Sequence, residues 1–232
     1  MLIVLKRQNV YSGIHLANAM LEQEIKSDIE ERQKLMLQIK TLYLRYEFNE
    51  RDEQLFLIYS IPAVYAIWEG FIQTALQTYI QELNKLKLTV DSFCKSILIY
   101  YLESKFPQFR EYPKDYAKKE LFFNKLNMFY TGKSVDISTS VNTESNVDFK
   151  VLNKILKEFN LELVEEYFEP GFSLKQKLKD FLIIRNAVAH GNGSTVNRED
   201  LENAIKLVHI LMDLVLEKII IGFASKSYLL TI

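Results

Sequence analysis

The sequence predicts an all-α protein, a bundle of long antiparallel helices with a helical insertion. Glycine (7) and proline (4) are scarce among its 232 residues, which disfavours turn-rich β-sandwiches and barrels. Apolar side chains recur every three or four residues through most of the chain, as they do on the buried face of a helix. Two helix starts near the C-terminus also carry capping residues, so the periodicity and the end signals agree.

Composition and charge exclude several classes of protein. Apolar residues make up 48% and charged residues 25% of the chain, which is ordinary for a globular domain. The net charge of -1 provides no general attraction to nucleic acid, so any RNA contact requires a local basic patch. A single cysteine, Cys94, excludes a disulfide framework and fits a reducing cytoplasm, which is the compartment we expect.

We expect neither secretion nor a membrane span. The N-terminal residues lack the long apolar region and the small-residue cleavage site of a secretion signal. No stretch of about 18 residues, the length of a membrane span, is apolar and free of charge. The closest stretch, from Ile205 to Phe223, contains Lys206, Asp213, Glu217 and Lys218.

The N-terminal part of the chain predicts two long helices. Residues 15–48 have apolar side chains at three- and four-residue spacing, with Glu and Lys between them, which indicates an amphipathic helix with one wet face. Residues 52–88 are apolar on nearly every side at first and amphipathic later, which is typical of a central, buried helix. Pro62 either kinks this helix or marks its start.

The middle of the chain predicts shorter elements. We expect helices over 89–106, 114–130 and 147–159, separated by prolines and by the polar segment 132–146. That segment is the best candidate for disorder or a flexible lid, and residues 161–171 fit either a strand or a loop. We therefore expect a single domain over 1–232, with core helices at about 15–88 and 173–223 and a helical insertion at about 89–160.

Two helices near the end have marked boundaries. Ser173 and Gln176 have the spacing of a capping box, and the helix they open runs to Ala189, with Gly191 placed to terminate it. Asn197 can cap the last helix, which continues to about residue 223.

Two charged residues stand alone in apolar helical sequence. Glu69 is the only charged side chain between Glu53 and Glu82, and Arg185 is the only permanently charged one between Asp180 and Arg198. A buried, unpaired charge costs several kcal/mol, so the economical inference is that Glu69 and Arg185 meet between two helices. Such a pair could simply fix helix register, or it could orient Arg185 towards a cleft.

Arg185 and His190 together offer the chemistry of phosphodiester cleavage. Arginine binds phosphate bidentately and stabilises developing negative charge, while histidine moves protons near neutral pH. Asn186 can bond a phosphate oxygen or orient the imidazole. Five positions on a helix leave Arg185 and His190 about 140° apart around the axis. They converge on one ligand only if His190 lies at a frayed helix end or if two subunits combine their copies.

Residues 178–193, LKDFLIIRNAVAHGNG, resemble the R-N-x-x-x-H-G signature of HEPN domains (higher eukaryotes and prokaryotes nucleotide-binding). In that superfamily an R-x(4–6)-H motif marks the ribonucleolytic members. Residues 65–84, YAIWEGFIQTALQTYIQELN, resemble a helix of the bacterial small stand-alone MAE-like HEPN subfamily, which has roughly the form Y-A-x-W-E-G-[FY]. The two motifs stand in the expected order.

The resemblance implies a HEPN-like helical bundle that dimerises and a metal-independent endoribonuclease without a cofactor, acting as a toxin or defence effector. Arg185 and His190 match the catalytic pair and Asn186 the polar residue after arginine, while Glu69 matches the acidic residue of the second motif in a supporting role. Implied partners are RNA, a second copy of the chain, and an antitoxin or a second HEPN protein. The alternative is a catalytically silent HEPN module that binds a nucleotide, an RNA or a partner protein.

Other candidate residues favour structural roles. His209 is most simply a core or groove histidine and His15 a surface one, and three scattered histidines with one cysteine do not form a standard zinc site. The lysine clusters are typical of solvated faces. If RNA binds, the cluster ahead of Arg185 is the best placed, and it comprises Lys175, Lys177 and Lys179.

Overall fold

The computed structural model describes residues 2–109, 111–130, 134–144, 146–191 and 195–230. These residues form α-helices, a small antiparallel hairpin and two short 3-10 helices (Val90–Ser92 and Pro107–Phe109). The helices are α1 (Leu2–Arg45), α2 (Glu50–Lys85), α3 (Lys95–Lys105), α4 (Tyr116–Tyr130), α5 (Phe149–Glu158), α6 (Leu174–Ala189) and α7 (Arg198–Ala224). The hairpin pairs β1 (Tyr167–Glu169) with β2 (Phe172–Ser173). The predicted all-α fold is confirmed.

The predicted helices occur, with shifted ends. α1 begins at Leu2, well before the expected residue 15. α2 starts at Glu50 and continues through Pro62, so the proline does not mark a helix start. Segment 161–171, which fitted either a strand or a loop, contributes β1 of the hairpin.

α2 is the central element of the bundle and contacts α1, α6 and α7. Its inward side chains include Trp68, Phe71 and Tyr79, each fully buried. By length and composition α2 could also cross a membrane, and it is the one helix in the described residues for which this holds. Because α2 packs against three neighbouring helices, its apolar surface forms part of the core of the bundle.

A glycine in α2 admits an arginine from α1. A Cβ atom built on Gly70 would lie 2.9 Å from Nη1 of Arg32, which is closer than side chains tolerate. Because position 70 is bare, Arg32 donates from Nη1 to the Ile67 carbonyl oxygen (2.9 Å) and from Nη2 to Thr74 Oγ1 (3.1 Å). Asp28 accepts from Nε of the same guanidinium at 2.7 Å. The guanidinium therefore joins the first two helices.

α7 buries its apolar face inside the chain, against α1 and α2. Its buried residues include Leu207, Leu211, Val215 and Ile219, and among the large apolar residues of α7 only Ile221 is exposed. The broad apolar surface of α7 is thus part of the core, because two long neighbouring helices cover it.

The polar segment after α4 packs against α2 instead of forming a lid. In its described residues, 134–144 and 146, the side chains of Val135, Ile137 and Thr143 are buried. Asn84 of α2 exchanges two hydrogen bonds with the backbone of Ile137, at 2.9 and 2.8 Å. Through these two bonds the Asn84 side chain satisfies both backbone hydrogen-bonding groups of Ile137 and attaches the segment to α2. The polar composition of the segment does not predict this attachment.

The capping predictions hold in most details. Ser173 Oγ accepts from the backbone N–H of Gln176 at 3.1 Å, but the Gln176 side chain donates to Asp180 instead of returning to the cap. Asn197 and Asp200 form a full capping box at the start of α7. Both helix starts are thus fixed by local side chains.

We predict that Gly222→Ala destabilises the protein, although alanine favours helices. An added Cβ would lie 2.3 Å from Cδ2 of Leu161, which is buried against α7. Such overpacking costs about 1–3 kcal/mol, more than the roughly 1 kcal/mol that alanine contributes to a helix. Urea unfolding should show the loss, and adding Leu161→Ala should cost less than the sum of the two single changes. Unchanged or higher stability of Gly222→Ala would contradict the packing described.

Candidate functional site

Arg185 lies half-buried on the side of α6 that faces α2. Its guanidinium carbon is 4.0 Å from the centre of the Tyr65 ring, in the geometry of a cation–π contact. Nη1 donates to Oδ1 of Asn146 at 2.9 Å and to Oδ1 of Asn186 at 2.8 Å. One face of the guanidinium and one of its nitrogens are therefore held by the protein.

The other edge of the Arg185 guanidinium is open. Within the described part of the chain, Nε and Nη2 make no hydrogen bond. These two N–H groups point in parallel from one edge of the planar fork, which is the geometry that binds a phosphate or carboxylate bidentately. The arrangement fixes the side chain without using its anion-binding edge.

Residues just before α5 connect Arg185 to α2. The backbone N–H of Val147 donates to the Tyr65 hydroxyl at 2.9 Å, and the Val147 carbonyl accepts from Trp68 Nε1 at 3.2 Å. Thr143 Oγ1 donates to Oε1 of Glu69 at 2.8 Å. Because Asn146 lies between these anchored residues, its amide is held where Arg185 can donate to it. We call the described residues of this segment, 143, 144, 146 and 147, the strap.

The expected ion pair between Glu69 and Arg185 is wrong. No ion pair joins them in the described residues, and the Glu69 carboxylate instead accepts from Thr143. Both charged groups lie beside Tyr65: burial, and to a lesser degree the charge of Glu69, raise the pKa of this tyrosine, while the charge of Arg185 opposes the rise. The sequence indicated that both charged groups need partners. In the structure they do not pair with each other, because the Tyr65 ring and the strap supply these partners.

His190 lies at the exposed C-terminal end of α6. Its backbone N–H still donates to the Asn186 carbonyl at 3.0 Å, and Gly191 then turns with a φ of +70°, the left-handed conformation that glycine favours. The predicted helix end is confirmed. The ring makes no hydrogen bond or ion pair with the described residues, while residues 192–194 of the following turn lie outside them.

The turn between α6 and α7 is tied to the start of α2. Gln54 Nε2 donates to the Val196 carbonyl at 3.0 Å. Arg198 donates twice to the carboxylate of Glu53, at 2.5 and 2.9 Å, and these hydrogen bonds hold the pKa of Glu53 below its usual range. The far end of the turn that follows His190 is therefore anchored.

The three lysines ahead of Arg185 do not form one patch. Lys179 precedes His190 by eleven residues, so the two lie about 20° apart around the helix axis and about 16 Å along it. Lys175 points to a similar side but pairs with Glu166 at 3.4 Å. Lys177 lies near Asp200 and Asn203 of α7. Of the three, Lys179 is the one aligned with His190.

The surroundings of His209 indicate a structural role. His209 is partly buried in α7, burial lowers its pKa, and its Nε2 atom finds no hydrogen-bond partner in the described part of the chain. These features fit the predicted core or groove histidine. No cluster of three or more His, Cys, Asp or Glu side chains that could hold a metal ion occurs in the described residues.

Two partners of Arg185 are not predicted by the sequence. Tyr65 begins the α2 motif that resembles HEPN proteins, but the motif does not indicate a contact with Arg185. Asn146 lies in a polar segment expected to be mobile, and nothing in the sequence places it beside a residue 39 positions away. The anchored strap brings it there.

Comparison with known families identifies the class of protein to which this helical bundle belongs. A model of the family described as RiboL-PSP-HEPN matches residues 23–220, and the chain therefore belongs to this HEPN family. The predicted HEPN membership is confirmed, while the finer assignment to the MAE-like subfamily stays a prediction. Neither a search of curated proteins nor a search of solved structures finds a match.

We predict that Tyr65→Phe destabilises the protein while keeping an aromatic ring under Arg185. The substitution removes the oxygen that accepts from the Val147 N–H, and an unsatisfied buried donor costs about 1–3 kcal/mol. Tyr59→Phe is the matched control, because Tyr59 lies on the same helix and is exposed. Thermal unfolding of both variants checks the prediction. Equal melting temperatures would contradict the anchoring role of the Tyr65 hydroxyl.

Proposed function

We propose that the protein is a metal-independent endoribonuclease of HEPN type, acting in the cytoplasm as a toxin or defence effector. The observation that carries the proposal is the state of Arg185, whose guanidinium is fixed while its Nε and Nη2 edge stays open. One helical turn further on, His190 is exposed at the end of α6. An anion-binding group and a proton-transfer group thus occupy neighbouring parts of one surface.

The partners of Arg185 are electrically neutral, which favours phosphate binding. A carboxylate beside the guanidinium would cancel its charge, whereas a tyrosine ring and two amide oxygens leave the full positive charge in place. In this proposal Asn186 is a positioning residue, since its oxygen accepts from Nη1. Glu69 supports the site through Thr143 and the strap, not by pairing with the arginine.

The proposed reaction is an internal transfer. The 2′-hydroxyl oxygen attacks the adjacent phosphorus, the bond from phosphorus to the 5′-oxygen of the next nucleotide breaks, and a 2′,3′-cyclic phosphate and a 5′-hydroxyl result. The proton lost by the 2′-hydroxyl passes to a base, and an acid returns one to the leaving oxygen. Histidine suits both roles, and arginine stabilises the charge that develops on the phosphate. No further reactant is needed.

We further propose a symmetric homodimer in which two copies of the motif face each other across a cleft and form two equivalent sites, each with Arg185 of one chain and His190 of the other. Because Arg185 turns inwards to α2 while His190 points outwards, one chain presents the two groups in different directions. A two-fold axis near His190 would supply a second arginine and a second histidine. Ile183 supports this location, since it lies about 20° from His190 around α6 and its apolar side chain is exposed.

We predict that His190→Ala abolishes RNA cleavage with little change in stability, because the side chain is exposed at a helix end. Arg185→Ala should also abolish cleavage, and it should lower stability because Asn146 and Asn186 lose their donor. Cleavage of total cellular RNA in EDTA, followed on a denaturing gel, checks both variants. Arg51→Ala, which changes an exposed arginine at the start of α2, is the matched control.

Two results would contradict the proposed activity. Cleavage by His190→Ala at the wild-type rate would exclude the histidine from catalysis. Loss of wild-type cleavage in EDTA would exclude the metal-independent mechanism. Binding of RNA with no cleavage by the wild-type protein would favour the silent HEPN module instead.

We predict that the active form is a dimer with composite sites. Light scattering should give twice the chain mass, and co-expressed Arg185→Ala and His190→Ala chains should recover about a quarter of wild-type activity. The fraction arises because half of the dimers are mixed and each mixed dimer has one of two sites intact.

The composite arrangement has clear alternatives. A dimer whose mixed form stays inactive would mean that each phosphate uses Arg and His from the same chain. A monomer that cuts RNA at the full rate would refute the dimer altogether.

A further inference from the structure

A groove beside α4 has a chemistry that the proposed reaction does not use. It has a volume of about 800 Å³ and lies between α4 and the segment that precedes it. Its lining includes Tyr112, Lys114, Lys118, Leu121 and Lys125. Below it, Phe106, Phe109 and Phe122 pack edge to face, so an aromatic cluster of its own supports the groove.

The lysines of this groove lack acidic partners. Lys114, Lys118 and Lys125 are exposed and make no ion pair within the described part of the chain. Elsewhere, many lysines are paired with a carboxylate; they include Lys26, Lys40, Lys85, Lys154, Lys175 and Lys218. Two acidic residues, Glu111 and Asp115, line the groove too. The Asp115 carboxylate accepts from the backbone N–H of Lys118 at 3.1 Å, and in the described residues neither acid forms an ion pair with Lys114, Lys118 or Lys125. The local cations are thus available to an external anion.

The sequence around the groove is basic in an otherwise slightly acidic chain. Residues 105–125 contain six basic and three acidic side chains, a net charge of +3, whereas the whole chain carries -1. The remaining residues therefore carry -4, and a polyanion is attracted to this end of the insertion more than to the rest of the surface.

Aromatic rings accompany these charges. Tyr112 is 55% exposed in the groove, and the ammonium of Lys119 lies 5.5 Å from its ring centre. Tyr116 and Phe123 are exposed on the other side of α4. Rings interleaved with lysines are the combination that binds single-stranded nucleic acid, because bases stack on the rings while phosphates contact the lysines.

Two other occupants fit these observations less well. Protein interfaces are depleted of lysine at their centres, whereas three lysines line this groove. A helix that lies on a membrane needs one apolar face, but the exposed apolar residues among the described side chains of α4 are on opposite sides: Tyr116 and Phe123 on one, Leu121 on the other.

We propose that this groove, whose lining shares no residue with the partners of Arg185, binds single-stranded RNA, with Tyr112 stacking on a base and Lys114, Lys118 and Lys125 contacting phosphates. The proposal rests on the proposed function, because it assigns the groove to the same substrate. The groove proposal adds that the insertion binds long, unpaired RNA and does not bind short RNA.

Binding is measured by fluorescence anisotropy in EDTA, with a labelled 20-nucleotide RNA free of secondary structure. The protein carries His190→Ala so that no cleavage disturbs the titration. Adding Lys114→Ala, Lys118→Ala and Lys125→Ala together should lower the slope of log affinity against log salt by about 2, since each single-strand phosphate contact contributes about 0.7. Tyr112→Ala should weaken binding by about five- to a hundredfold.

The matched control changes three exposed lysines outside the groove, Lys95, Lys150 and Lys157, to alanine. Equal effects of the groove and control triples would overturn the proposal, because only net charge would then matter. Unchanged RNA binding by the groove variants would also overturn it, as would binding to vesicles of anionic lipid in place of RNA. All six of these lysines are exposed, so neither triple removes a buried side chain.

Cleavage assays separate this proposal from the proposed function. With His190 intact, the groove triple should raise KM for long RNA and leave kcat unchanged, while cleavage of a short oligonucleotide stays at the control level. Groove-dependent binding without any cleavage by the wild-type protein would refute the ribonuclease and leave the groove. Normal cleavage of long RNA by the groove triple, with KM unchanged, would refute the groove and leave the ribonuclease.

Discussion

Arg185 is a permanent cation that lies half-buried between two helices without a carboxylate beside it in the described residues. The surrounding structure must stabilise this charge in another way. Removing a guanidinium from water is costly unless its N–H groups and its charge find partners. Here the partners are the ring of Tyr65 and the amide oxygens of Asn146 and Asn186. Each is neutral, so the arginine is immobilised and still carries a full charge for an external anion.

Several otherwise unrelated features serve this arrangement. Tyr65 faces α6 because α2 is the central helix and its inward side is buried against three neighbours. Asn146 reaches Arg185 because Trp68, Tyr65 and Glu69 bind the residues on either side of it. Glu69 thus acts at a distance: it holds Thr143, and the strap carries the effect to the guanidinium. A direct ion pair would have neutralised the guanidinium charge, which the proposed phosphate binding requires.

The two residues of the Arg–His motif lie in different surroundings in this member of the HEPN family. Arg185 is held by packed elements, whereas His190 lies at an exposed helix end, and the turn that follows it is anchored at its far side through Gln54 and Arg198. A group that binds charge benefits from fixed geometry, while a group that transfers protons needs access to solvent and substrate. The insertion adds a basic, aromatic groove that includes neither residue.

The sequence alone determined the helical class, most helix positions and the family, because apolar periodicity, capping residues and the Arg–His motif are local signals. It also identified Glu69 and Arg185 as charges in need of partners, since isolation in apolar sequence is visible without a structure. Only the tertiary structure decided what those partners are. Tyr65 and Asn146 meet Arg185 across 120 and 39 residues of sequence, and contacts over such separations depend on how helices pack, which local patterns do not encode.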